Sequence, residues 1–140
     1  MTFWTLKNIT RGLLTGDNVL PNDDNVVKGL VSYALITVAT KADSMHLMTL
    51  DSSVNILRAG RGDYFIRVPA TPVLDDEELD IDRELTFAVA RYLASYISKE
   101  KGGIHVNAAD RIILDFNSGI SALMESVLFD AVSDACTVEV

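Results

Sequence analysis

The densest set of ionisable side chains lies between residues 75 and 84. Asp75, Asp76, Glu77, Glu78, Asp80, Asp82 and Glu84 put seven carboxylates in ten positions, countered only by Arg83. Three uses fit such a run. A calcium or magnesium site would exploit the demand of hard cations for several oxygens. The spacing is poor for it, because an EF-hand loop needs alternating ligands, a mid-loop glycine and a distal Glu, and no glycine occurs from Ala70 to Lys101. A plainer reading has Asp80 or Asp82 cap the following helix while its neighbours sit near the positive helix end. The third is a docking surface for a basic partner patch, which the charge density favours electrostatically.

The remaining chemistry-bearing residues are scattered. His46 and His105 lack a second His or Cys at ligand spacing, so a metal site would need carboxylates from elsewhere. Glu84, Asp110, Asp115 and Glu125 are available on helical segments, but no Glu-x-x-His pair accompanies them, so a di-metal bundle site is not expected. No Gly-x-Ser-x-Gly elbow occurs, and Asn117-Ser118-Gly119-Ile120-Ser121 falls inside a helical apolar pattern. Gly60-Arg61-Gly62 lacks the third glycine of a dinucleotide loop, and no Gly-Lys-Ser/Thr follows any loop. Arg61-Gly62-Asp63 spells an adhesion tripeptide but sits where a hairpin tip is expected. Arg58, Arg61 and Arg67 form a local basic patch, suited to phosphate or an acidic neighbouring chain, or simply to solvated strand faces. Cys136 is the single cysteine, which excludes a disulfide framework and leaves a free thiol near the end. No catalytic, cofactor or metal site is assigned, and the chain is not expected to be an enzyme.

The elements that must position these residues follow from hydrophobic period. Phe3 to Leu14 places Leu6, Ile9 and Leu13 on one side of a helix, with Gly16 and Asp17 ending it. A second helix opens after Asp23-Asp24-Asn25 and carries Val26, Val27, Leu30, Val31, Ala34, Leu35 and Val38. Tyr33 and Ile36 widen its face, so burial on more than one side is expected. A third helix has the cleanest register, through Leu85, Ala88, Val89, Tyr92, Leu93, Tyr96 and Ile97, and Gly102-Gly103 supplies its stop signal. A fourth opens near Asn107 and runs through Ile112, Ile113, Phe116, Ile120, Leu123, Met124, Val127 and Leu128. Between the second and third helices the period changes. Val54–Gly60 and Tyr64–Val68 predict two strands joined by a turn. Pro69 and Pro72 then begin a loop without periodicity. The expected architecture is mainly α: a four-helix bundle-like domain over residues 1–129 with a β-hairpin inserted at about 54–68, and a tail at 130–140. Phe3 and Trp4, so near the N-terminus, need burial against the second helix or against another subunit.

The whole chain has 140 residues and a formal charge of −8, with a pI near 4.6 and a mean hydropathy of +0.22. A hydrophobic fraction of 49% supports a real core and excludes global disorder. The acidic balance argues against an extended nucleic-acid-binding face. Met1–Leu14 holds no basic run followed by a long apolar stretch, so no secretory signal is expected, and Val26–Ala39 is too short and interrupted to span a bilayer. Synthesis and use in a reducing cytosol follow as the expectation.

Two stretches carry a family resemblance. Tyr64-Phe65-Ile66-Arg67-Val68-Pro69-Ala70-Thr71-Pro72 ends a strand on Ile-Arg-x-Pro. Leu79-Asp80-Ile81-Asp82-Arg83-Glu84-Leu85 starts a helix on Asp-x-Glu-Leu, leading into Ala88–Ala94. With the helix, helix, hairpin, helix, helix order, Asn25 to Leu128 resembles the head-to-tail connector (adaptor) proteins that dock beneath the portal of tailed bacteriophages. The resemblance implies a structural virion protein, made in the host cytoplasm and placed at the head–tail junction. It implies a dodecameric homo-oligomer ring touching the portal and tail or neck proteins, with no cofactor and no membrane, and with double-stranded DNA passing through unbound. Net negative charge suits such a conduit, since like charge keeps DNA off the wall. Closed rings use heterologous contacts. The expected inter-subunit residues are therefore Phe3, Trp4, Arg58, Arg61 and Arg67, and the acidic Asp75, Asp76, Glu77 and Glu78, with the arginines of one copy facing the carboxylates of the next. The C-terminal segment 130–140 is the expected portal-reaching tail. The competing expectation is an acidic intracellular interaction module, an inhibitor or chaperone-like binder of a basic client.

Overall fold

Thr2 opens the first helix, α1 (Phe3–Leu13), by accepting the Thr5 backbone N–H on its hydroxyl oxygen at 3.2 Å, which satisfies one of the free donors of the first turn. The chain is seen in a computed structural model that describes the backbone of residues 1–138 and the side chains of residues 1–120. The buried side of α1 carries Phe3, Leu6, Lys7 and Thr10. Gly16 then turns the chain with φ +64°, a conformation costly for a residue with a Cβ. As expected, Asp23 caps α2 (Asp24–Lys41), its carboxylate accepting from Asn25 N–H at 3.0 Å. The buried residues of α2 are Val27, Val31, Ala34, Leu35, Val38 and Ala39. This single stripe is narrower than expected. Tyr33 is 62% exposed and leans its ring on Tyr96 with centroids 5.2 Å apart.

The hairpin forms where the sequence places it. β2 (Ile56–Ala59) pairs antiparallel with β3 (Phe65–Arg67). The turn closes through Gly60 N–H donating to Tyr64 C=O at 2.9 Å, with Gly62 at φ +57°. A third strand, β1 (Met48–Thr49), adds to the other side of β3, giving the order β1-β3-β2. Two residues carry no readable period, so β1 was invisible in the sequence. Its effect is physical, since a lone two-stranded hairpin is marginal, and here the central strand presents the fully buried Ile66.

A 3₁₀ turn at Arg83–Leu85 leads into α3 (Thr86–Ile97). Neither Asp80 nor Asp82 caps α3, contrary to the plainer expectation: the N-cap position is Leu85, with no side-chain cap bond. Both carboxylates are engaged elsewhere, as described below. α4 (Gly102–Val138) begins five residues before the expected Asn107. The buried positions His105, Ala109, Ile113 and Ile120 lie on one stripe, and a polar residue in its first turn hid the true start. The same helix takes in residues 130–138, which the apolar pattern had set aside as a tail. The side chains of Leu123, Met124, Glu125, Val127, Leu128 and Cys136 lie outside the described residues, as do residues 139–140 altogether.

The chain is thus mainly α-helical with a small antiparallel sheet. α3 packs against α1, α2 and α4, and buries Thr86, Ala88, Val89, Ala90, Tyr92, Leu93 and Ala94. Three of these are alanines, which let neighbouring helices come close around Val89 and Leu93. Leu93 has no exposed surface. Leu93→Ala is expected to lower unfolding free energy by about 3 kcal/mol, read by urea denaturation. An exposed change such as Tyr33→Ser is expected to cost less than about 1 kcal/mol.

Candidate interaction surface

The end of β3 and the start of the 3₁₀ turn are locked by one carboxylate. Arg67 sends Nη1 to Asp80 Oδ2 at 2.5 Å and Nη2 to Oδ1 at 2.7 Å, a two-pronged pairing that the planar guanidinium favours. The Ala70 backbone N–H donates to the same carboxylate at 2.7 Å, and His46 Nε2 lies 2.8 Å from it. Asp80 is only 19% exposed. Burial pushes its pKa up, but the hydrogen bonds from Arg67, Ala70 and His46 outweigh that and hold it well below the usual carboxylate range. Two residues on, Asp82 accepts from the buried Ser44 hydroxyl and from His46 N–H. Ser44 Oγ in turn accepts Leu47 N–H at 3.1 Å. The two aspartates therefore tie the β3 end, the α2–β1 loop and the entry to α3 together.

Arg58 and Arg61 are also used inside the chain. Arg58 donates through Nε to Ala39 C=O at 3.1 Å and through Nη2 to Ala42 C=O at 2.7 Å. It places its cation at the negative end of α2 and satisfies carbonyls left free there. Arg61, at the hairpin tip, donates through Nε to Asp43 at 2.9 Å and reaches Asn117 C=O on α4 at 3.4 Å. Asn117 completes the joint, accepting Asp43 N–H at 2.8 Å and donating to Lys41 C=O at 3.0 Å. The basic patch of the sequence is thus a set of internal clamps, each pointed at a carboxylate or carbonyl of the same copy.

The acidic run divides by position. Residues 1–4 lie against residues 75–79: Leu79 N–H donates to Met1 C=O at 3.0 Å, Phe3 N–H to Glu77 C=O at 2.9 Å and Trp4 N–H to Asp75 C=O at 3.0 Å. Asp75 takes the Lys7 ammonium at 2.7 Å, and Glu78 takes the Met1 amino group at 2.7 Å. Glu77 turns back onto Val73 N–H and Leu74 N–H. Among the described residues Asp76 makes no hydrogen bond or ion pair, and it is exposed. Phe3 is fully buried in the core of its own chain, whereas Trp4 is 57% exposed. Of the expected contact residues, the structure therefore brings Trp4 and Asp75–Glu78 to one edge, turns Arg58, Arg61 and Arg67 inward, and removes Phe3 from the surface.

Two polar clusters escaped the sequence reading. Lys41 Nζ donates to Tyr92 Oη at 2.6 Å and to Asp110 at 3.1 Å, while the Tyr92 hydroxyl donates to Asp110. This staple joins α2, α3 and α4. The Tyr92 contact raises the Lys41 pKa, burial raises that of Tyr92, and the Tyr92 hydrogen bond lowers that of Asp110. The phenol is held protonated, the state in which it donates to the carboxylate. In the second cluster, the buried His105 takes a hydrogen bond from Arg91 of α3 on Nδ1 at 3.1 Å. Burial, then Arg91 and Lys101, lowers its pKa. These partners are 14 to 69 residues apart, and no local spacing signals them.

Among the described residues no group of three or more His, Cys, Asp or Glu could hold a metal ion, and no helix is long and apolar enough to cross a membrane. No protein-family model, curated protein or solved structure matches the chain.

Two pH-dependent outcomes follow. Asp80→Asn is expected to cost about 2 kcal/mol at neutral pH, typical of hydrogen bonds to a charged group. Because the folded-state pKa is depressed, the parent holds this contribution above about pH 4 and loses it as the pH falls further. The deficit of the variant therefore shrinks in acid, which paired urea titrations would show. Burial holds the His105 pKa below its ordinary value in the fold, so its contribution is full above about pH 6.5 and is lost as the pH falls through the depressed folded value. His105→Gln is expected to flatten the stability–pH curve between neutrality and the carboxylate range, read by thermal unfolding across pH.

Proposed function

We propose that this chain is a structural subunit of the head-to-tail connector of a tailed bacteriophage. What supports the reading is the join between Arg67 and Asp80. The two stretches that resemble connector proteins, one ending in Ile66-Arg67-Val68-Pro69 and the other containing Asp80 and Asp82, are separate in sequence but meet in this lock. Their shared chemistry is that of a brace, which ties the end of the sheet to the segment entering α3. In this reading the four helices act as a bundle around α3, with the hairpin set against one end. Copies assemble as a homo-oligomeric, dodecameric ring between the portal and the tail or neck proteins, in the virion after synthesis in the host cytoplasm. DNA passes without specific contact, kept from the wall by a net charge of −8. In this reading Arg58, Arg61 and Arg67 face their own chain and do not serve contacts between copies, and the edge carrying Trp4 and Asp76 faces a different protein of the junction, the portal or a tail or neck protein. That same edge also supports the alternative, an acidic module that binds a basic client.

The connector reading predicts that purified virions contain the chain at a ratio near one to one with the portal protein, counted by quantitative mass spectrometry. Absence from the particle overturns it.

A further inference from the structure

Trp4, Val73 and Leu74 are 57%, 62% and 61% exposed. The hydrogen bond from Trp4 N–H to Asp75 C=O places the start of α1 directly beside the 73–75 segment, so these three large apolar residues share one edge. Water-exposed apolar groups gathered in one place mark docking surfaces more often than single exposed residues do, and tryptophan is enriched among the residues that dominate binding energy. The edge is also held in place. Three backbone hydrogen bonds join residues 1–4 to 75–79, Glu77 braces Val73 and Leu74, and Asp75 is tied to Lys7. Binding here would order little that is not already ordered, which lowers its cost.

The rim identifies the occupant. Asp75, Asp76, Glu77 and Glu78 are countered by three cations, the Lys7 ammonium, the Met1 amino group and the more distant Arg83, and Lys7 is itself largely buried. The edge therefore keeps a negative potential beside its apolar centre. An anionic lipid surface or a nucleic acid is repelled by it. A second copy is a poorer match, because each copy carries a net charge of −8 and six of its twelve Lys and Arg residues, Lys7, Lys28, Lys41, Arg58, Arg61 and Arg67, are already paired with carboxylates of their own chain. We propose that the Trp4–Val73–Leu74 edge docks a basic, apolar segment of a different protein, with its apolar side chains on this trio and its Lys or Arg residues against Asp75, Asp76 and Glu78. This deepens the assignment of the edge under either reading above, and its test does not depend on whether the chain is found in virions.

Trp4 is the single tryptophan of the chain, so its fluorescence reports on the surface directly. The probe is a synthetic 14-residue peptide with Leu at helical spacing and Lys elsewhere; its control replaces every Lys by Glu. The Lys peptide is expected to shift Trp4 emission to the blue in a saturable titration that weakens with salt, and the Glu peptide is expected to give no shift. The double change Val73→Ser and Leu74→Ser preserves the charge and sits at exposed positions. It is expected to weaken binding about tenfold, the scale of a lost apolar hot spot. Asp76→Asn is expected to weaken it about threefold, as for an exposed charge contact. Circular dichroism checks that the variants fold. Equal binding of both peptides, an unmoved Trp4 spectrum, or full affinity in the Val73/Leu74 double variant would overturn the proposal, the last by showing attraction to diffuse charge alone.

Discussion

A carboxylate taken from water has to be surrounded by donors, and Asp80 is the place where this fold meets that demand. Its two oxygens are shared by the Arg67 guanidinium, the Ala70 amide and the His46 ring. Those partners come from a strand end, a proline-bounded loop and the segment before the first strand. None of them could be moved without stranding a largely buried charge, which is costly. The position of the sheet relative to the segment entering α3 thus rests on ionic pairing as well as on apolar packing. Asp82, sharing Ser44 and His46 N–H, extends the same constraint by one step. The loop between Pro69 and the 3₁₀ turn lacks periodic structure, yet both of its ends are fixed.

The helices are where local physics was most legible. The i, i+3, i+4 rows of α2 and α3, the Asp23 cap and the glycine-rich hairpin turn each depend on residues close in sequence, and each is present. Boundaries failed where a polar residue carried a core role. His105 sits in the first turn of α4 with its ring on Arg91, so an apolar pattern could not find that turn. β1 failed for the opposite reason: Met48 and Thr49 are strand only because β3 offers an edge to pair with.

The surface was legible in composition and illegible in pairing. The acidic run was plain, as were the three arginines near the hairpin. Which carboxylate meets which cation was not, because Arg67 pairs across 13 positions and Arg61 across 18, and nothing in the letters between them specifies a partner. The aromatic pair at the N-terminus shows the same limit. Phe3 and Trp4 are adjacent and similar in kind, but helical geometry turns one into the core and the other into solvent.

The joint at Asn117 carries a consequence for how the molecule is made. Asn117 bonds Asp43 and Lys41, which lie 74 and 76 positions earlier, and the first four residues are held by a segment more than seventy positions later. A ribosome releases the chain from its N-terminal end, so α1 emerges long before its partners at 75–79 exist. The hairpin emerges before the part of α4 that clasps its tip. Non-local closures of this kind come late and slowly in folding. The nascent chain must therefore carry the apolar faces of α1 and α2 uncovered through much of its synthesis, and its first fully closed state belongs to the period after Asn117 has been translated.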